Sequence, residues 1–371
     1  MRRVAGFVLF GLFGVGLAQY KVEVLHPDGV GPRSFGMGAG GGQQVGHTNL
    51  FQIGPSHALL WSGSQESFIY LHPAGWDGSY AMGVSGGKQI GYRERSSGQG
   101  RGQFATLWSG SAKSWVDLHD DRYIETNGLG IGGDQQVGFG AINQEDVHAP
   151  MWLGTAKSLV SLHPGNEFEA SRAYDTDGKQ QVGGAATRVF SHAALWTGTA
   201  ESYVDLGPKG YGTSVAHGVA KGQQAGWAAF DGNAHAGIWR GTAESFVDLN
   251  PGPNDQVGSI AFATNGETQV GVAAGLLIGG FHASLWHGSP ETFPDLHTFL
   301  PERFQGKGAE SEARGIDEFG HIVGWARDTN TQAAQAILWT PVPEPASGTI
   351  LLTSLVLLLA RRSGGTQTKT P

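Results

Sequence analysis

Short apolar stretches, cut apart by Gly, Pro, Ser and Asp, succeed one another along most of this chain, and the same four return in order. The first is built of small residues, as in Tyr80-Ala81-Met82-Gly83, Val215-Ala216-His217-Gly218 and Ile260-Ala261-Phe262-Ala263. The second is a Gln-Val-Gly piece, as in Gln44-Val45-Gly46, Gln136-Val137-Gly138 and Gln181-Val182-Gly183. The third reads His-Ala-x-Leu-Trp-x-Gly, as in His192 to Gly198, and the fourth Ser-aromatic-Val-Asp-Leu-His, as in Ser114 to His119. Pieces this short, rich in β-formers and bounded by turn residues, predict four strands per unit.

The third piece returns seven times, at Leu60-Trp61, Leu107-Trp108, Met151-Trp152, Leu195-Trp196, Ile238-Trp239, Leu285-Trp286 and Leu338-Trp339. Trp61 to Trp339 is 278 residues over six steps, about 46 per unit. A period of that length marks a repeat architecture. The step from Trp to the Leu of the fourth piece is ten residues in all six units that have one, from Trp61–Leu71 to Trp286–Leu296. Equal spacing implies one hairpin register throughout, because a slip of one residue turns every side chain to the other face. A four-stranded sheet repeated radially is a β-propeller blade. The expected fold is therefore all-β: a seven-bladed β-propeller with four strands per blade. The last unit stops at Trp339-Thr340-Pro341 without its fourth strand, while Tyr20 to Pro27 reads as a fourth strand without its first three. The N-terminal strand is thus expected to complete the last blade and close the ring, where a linear solenoid would need capping units. Glu23 stands where the other copies carry Val or Ile, a substitution that an outermost strand tolerates.

Gly makes up 61 of 371 residues, about twice ordinary usage, which suits many tight turns. With no Cys, disulfides, thiolate metal sites and Cys nucleophiles are excluded. The formal net charge is −8. A body this acidic repels nucleic acid and anionic lipid, so no nucleic-acid partner is expected.

The two ends carry addresses. Met1-Arg2-Arg3, an apolar run from Val4 to Leu17 and small residues before Ala18 describe a signal peptide over residues 1–18, cut between Ala18 and Gln19. Residues 342–371 open on Val342-Pro343-Glu344-Pro345, continue through an apolar run from Ala346 to Ala360 and reach Arg361-Arg362. This resembles a PEP-CTERM sorting signal. The resemblance implies recognition by an exosortase-type membrane protease and transient insertion of the short apolar segment in the inner membrane. It implies that the basic pair stays cytoplasmic and that cleavage near Pro-Glu-Pro places the protein at the cell surface or outside the cell. A plain C-terminal anchor is the alternative. The repeats between, over residues 19–341, resemble the extracellular HAF repeat through His57-Ala58, His148-Ala149, His192-Ala193, His235-Ala236 and His282-Ala283. The namesake Phe is missing from every copy, and Phe104-Ala105 and Gln335-Ala336 lack the His. That likeness implies an exported protein and adds no mechanism.

Residues that recur in every unit are expected to hold blades together: the Trp series as inter-blade core, the His and Asp series as strand-edge partners. Asp175-Thr176-Asp177-Gly178 hints at a calcium loop, but Gln180 and Ala186 stand where an EF-hand needs Gly and Glu, so a simple turn is expected. No metal, cofactor or catalytic residue is assigned. Function is expected where units differ. The crossover from Leu296 to Ala313 is 17 residues, against 10–12 elsewhere, and offers His297, Phe299, Glu302, Arg303, Phe304, Glu310 and Glu312 as a ligand loop. A second deviation, from Arg93-Glu94-Arg95 to Arg101, reads as a basic surface loop. The sequence thus reads as an exported, surface-sorted propeller with a binding or structural role; the PEP-CTERM resemblance implies association with exopolysaccharide production and so points to a polysaccharide as the ligand. The alternative is a polysaccharide hydrolase or lyase, for which Glu302, Arg303, Glu310 and Glu312 would supply the carboxylates and cation.

Overall fold

The computed structural model describes residues 19–49, 54–96, 101–251, 258–274, 280–291 and 294–343. The expected signal peptide with Ala18 lies outside them, as do Glu344, Pro345, Arg361, Arg362 and the apolar run before the basic pair. Among the described residues no helix is long and apolar enough to cross a membrane. The chain divides into Val22–Thr340, which holds the repeats, and a second unit formed by its two ends, whose described residues are Gln19–Lys21 and Pro341–Pro343.

The regular elements among the described residues are strands, apart from 3₁₀ turns of three or four residues. Each repeat begins with an inner strand: Arg33–Gly40, Gly78–Ser85, Glu125–Gly132, Ala170–Thr176, Ser214–Ala220, Ser259–Thr264 and Ser311–Ile316. Each inner strand pairs antiparallel with the Gln-Val-Gly strand that follows it. That strand pairs in turn with the one ending at Trp, and four sheets then run out to a two-residue strand such as Val116–Asp117 or Val247–Asp248. The register of this last pair is constant, with Leu59 opposite Tyr70, Thr106 opposite Asp117 and Gly237 opposite Asp248. In the sixth repeat the fourth strand shrinks to a single bridge, Ser284 opposite Asp295, so its sheet has three strands. The third and fourth repeats count as one sheet because Val147 pairs with Ala170. In the last sheet the strand Gln19–Val24 lies beside Ala334–Val342.

Three recurrent devices join the repeats. The Trp that ends each third strand is fully buried, and it packs into a core of the preceding repeat. Trp108 packs with Val45, Leu60 and Leu71, Trp239 with Val182, Leu195 and Leu206, and Trp61 with Leu25, Val323 and Leu338. A hydroxyl at the head of each inner strand accepts a backbone N–H from the repeat before. Ala193 donates to Ser214 Oγ at 2.9 Å and Ala236 to Ser259 Oγ at 3.0 Å, and Ala336 donates to Ser34 Oγ at 2.9 Å. The histidine at the end of the fourth piece often holds that same hydroxyl, as His72 Nδ1 does Ser79 at 3.0 Å and His163 does Ser171 at 3.0 Å. The third device is within a repeat: the buried Gln before Val-Gly accepts the N–H of the Gly after Trp, as Gln181 does from Gly198 at 2.7 Å and Gln224 from Gly241 at 2.8 Å.

The His of His-Ala serves the same framework. His192, His235 and His282 meet the repeated Asp205, Asp248 and Asp295 at 2.8–2.9 Å. In the second repeat Phe104 replaces that His, and Arg93 takes the vacant Asp, reaching Asp117 at 2.6 Å and Thr106 Oγ1 at 3.0 Å. Its guanidinium lies between Trp76 (4.1 Å) and Trp115 (4.5 Å). Arg93 is thus buried in the strand Lys88–Arg95 rather than part of an exposed basic loop, because a carboxylate partner and two aromatic faces replace its water.

Candidate functional site in the central channel

Every inner strand carries a β-bulge at the same place, where its ladder slips by one residue: between Gly36 and Gly38, Ala81 and Gly83, Gly128 and Gly130, Ala173 and Asp175, Ala216 and Gly218, Ala261 and Ala263, and Ala313 and Gly315. A bulge leaves one residue unpaired and re-aims its side chain. The seven residues so released are Met37, Met82, Leu129, Tyr174, His217, Phe262 and Arg314, and all of them line one cavity of about 530 Å³. Inner strands of successive repeats lie side by side, and Ser311–Ile316 lies beside Arg33–Gly40. The cavity is therefore a channel into which each repeat presents its bulged residue.

The ring has two halves. Met37, Met82 and Leu129 make an apolar arc. The other four touch in sequence: Tyr174 and His217 have ring centroids 5.0 Å apart, His217 and Phe262 5.6 Å, and the Arg314 guanidinium lies 4.1 Å from the centre of the Phe262 ring. Burial, with the Arg314 charge adding to it, pulls His217 down to about 4, so its imidazole is neutral in ordinary conditions. Arg314 is held by Glu312 at 2.5 Å.

One tier toward the crossovers, residues two before the bulge and their ladder partners form an aromatic belt. Trp325 meets Phe35 edge-on at 5.7 Å, Phe35 stacks on His47 at 5.2 Å, His47 meets Tyr80 at 4.9 Å and Tyr80 stacks on Tyr92 at 4.7 Å. All five rings are half-buried. Farther round at the same level, Arg172 lies over Phe139 at 5.2 Å. The opposite mouth, at the turns between first and second strands, is lined by Asp177, Asp317 and Glu318 together with Lys179 and Lys221.

Asp175 breaks the repeat. At its position the other inner strands have Gly or Ala, where the neighbouring strand comes close. Its carboxylate lines the channel, accepts the Val219 N–H at 3.0 Å, and is pushed up to about 7 by burial. Asp175 and Thr176 belong to the inner strand and Asp177 opens the turn after it, accepting the N–H groups of Lys179 and Gln180 at 2.9 and 2.8 Å. That is the simple turn expected from the sequence.

The seven residues of the long crossover do not converge. His297 is buried, bonded to Ser311 Oγ at 2.8 Å and stacked on His282 at 4.0 Å, and burial pulls it down to about 4. Phe304 is fully buried, Phe299 half-buried and Glu302 exposed. Arg303 bonds Gln335 Oε1 at 3.0 Å, and Glu310 is paired with Arg327 at 2.7 Å. Only Glu312 reaches the channel group, through Arg314 and through Trp325 Nε1 at 3.2 Å. His297 and Phe304 make this crossover a packed connection whose interior faces the core. A signal for the bulge ring is present in the sequence: the third residue of the small-residue piece varies freely, as Met82, His217 and Phe262, between small neighbours in every repeat but the fourth, where Asp175 follows.

Comparison with solved structures finds propellers. The β-propeller domain of the trilobed protease from Pyrococcus furiosus matches with a TM-score of 0.56 at 9% identity, over 83% of this chain and 95% of that one. An acylaminoacyl peptidase matches at 0.54 and 10%, over 86% of this chain and 54% of that one. A puromycin hydrolase matches at 0.51 and 16%, over 80% and 50%. The fold is a β-propeller. This chain spans about half the length of the two whole enzymes it matches. No family model matches the sequence, and a search of the curated proteins finds no relative.

Proposed function

We propose that this protein is an exported, surface-sorted propeller of seven blades that binds polysaccharide at the belt-lined mouth of its channel. The observation that carries the reading is the run of five touching rings from Trp325 to Tyr92 above a channel with one apolar and one aromatic arc. A pyranose presents a face of C–H bonds and an edge of hydroxyls. It stacks on half-buried aromatic rings and needs polar groups beside them, and aromatic contacts of this kind are among the largest that a surface offers.

Closure of the ring by the N-terminal strand is part of the proposal. The Ala336-to-Ser34 bond repeats, between last and first repeats, the bond that joins consecutive ones, and Gly41 and Gly42 N–H groups lie 3.2 Å from Glu318 and Asp317 carboxylates. The Pyrococcus furiosus domain is described as having an open velcro topology. Here the strand Gln19–Val24 in the last sheet supports a different seam. Val342 and Pro343 stand at the start of the sorting signal, whose remainder, with the proposed exosortase-type partner and the surface location, rests on the sequence.

The test is binding of the purified full chain to a panel of neutral and acidic polysaccharides, with new reducing ends measured in the same samples. Binding without new ends, weakened about tenfold by Tyr80→Ala, supports the proposal. Binding to no polysaccharide sinks it, and release of new ends replaces it with the hydrolase or lyase reading.

A further inference from the structure

We infer that the channel recognises an oxyanion carried on a sugar, a carboxylate or a sulfate ester, set against the guanidinium of Arg172. The inference rests on the polysaccharide reading and narrows it to acidic polymers.

Arg172 is exposed within the channel wall, stacked on Phe139, and makes no ion pair among the described residues. An arginine held over an aromatic face is oriented by that face while its fork of N–H donors stays available, a geometry that suits the two oxygens of a carboxylate or the three of a sulfate. Arg314, in the same cavity, has a buried Nε with no hydrogen-bond partner, although Glu312 neutralises its terminal nitrogen. Arg172 therefore carries the uncompensated charge, and Arg314 offers a further donor.

The surroundings fix the direction of approach. The chain is acidic, with net charge −8, and the turn-side mouth carries three carboxylates, Asp177, Asp317 and Glu318, against Lys179 and Lys221. At that mouth Lys221 is paired with Glu267 at 3.2 Å. An anion is thus repelled from that end and meets Arg172 from the belt side, where sugar rings stack. An acidic polymer would enter with its sugar faces on the belt and one oxyanion at the channel neck.

Three tetrasaccharide probes test this with the full chain: oligogalacturonate, its methyl ester, and a sulfated oligosaccharide, each titrated calorimetrically. At least one acidic probe is expected to bind about tenfold tighter than the ester, and Arg172→Gln is expected to remove that difference while leaving ester binding unchanged. The exposed position of Arg172 keeps the variant folded, which an unchanged thermal transition verifies. Preference for carboxylate or for sulfate identifies which oxyanion fits, and either supports the inference. Equal affinity for the acid and the ester, with Arg172→Gln inert, overturns it and leaves the belt reading standing. Binding of none of the three by a chain that does bind a neutral polymer also overturns it, and failure with every polymer overturns both.

Discussion

Single residues in this fold are constrained by backbone contacts as much as by side chains. The Gly of each Gln-Val-Gly piece lies under the bulge of the inner strand: a Cβ on Gly183 would stand 1.8 Å from the Arg172 carbonyl oxygen, and one on Gly226 2.0 Å from that of Val215. Gly183→Ala is expected to cost about 3 kcal/mol, read by denaturant titration. Asp175 sets a different constraint. Its folded pKa is raised, so the fold favours the protonated acid. The stability it contributes is present below the unfolded value, near 4, and is lost as pH rises toward about 7. Asp175→Asn, which keeps an acceptor for the Val219 N–H, should raise the melting temperature at pH 8 and leave it nearly unchanged at pH 4. An equal shift at both values would mean that the carboxyl is ionised throughout. The sequence displayed Asp175 only as part of an imperfect calcium pattern. That it stands where every other repeat has Gly or Ala becomes visible only once the bulge fixes the alignment.

Strands and connections explain which sequence expectations were legible. The recurrence of Trp, with a constant ten residues from it to the next Leu, announced the strands and the register between third and fourth, because side-chain alternation ties spacing to face. The hydroxyl that heads each inner strand was not legible, since Ser or Thr in a Gly-rich chain reads as turn. Yet Ser214 satisfies the Ala193 N–H in a buried place. Ser214→Ala leaves that donor without a partner and should cost about 2 kcal/mol, measured as a shift in the denaturation midpoint. The long crossover misled for a related reason. Length and mixed composition look like a binding loop, but His297, Leu300 and Phe304 are buried, so the extra residues serve packing.

For the molecule as a whole, buried neutral histidines govern the response to acid. His47, His57, His217 and His297 are all pulled down to about 4 by burial. A depressed histidine contributes stability that is present above its unfolded value, near 6.5, and is lost as pH falls toward the folded value. Asp175 works in the opposite sense over the same range, one group against four. The thermal transition should therefore fall between pH 7 and pH 4.5, and a rise on acidification would show that these imidazoles are solvated. Removing Gln19 to His26 tests the seam: Leu25 is fully buried with Trp61, Val323 and Leu338, so its loss alone is expected to cost about 2–5 kcal/mol.

The strand that shares a sheet with the last repeat is the first described part of the chain to be made. No repeat owns a finished interior, since each Trp is housed by its predecessor and Trp61 is housed by residues near the other end. A growing chain can close each core as the next repeat emerges, but the core around Trp61 stays open until the final strands are made, and such distant pairing is slow to form. On the proposed export route this delay keeps the seam open until the last strands have passed.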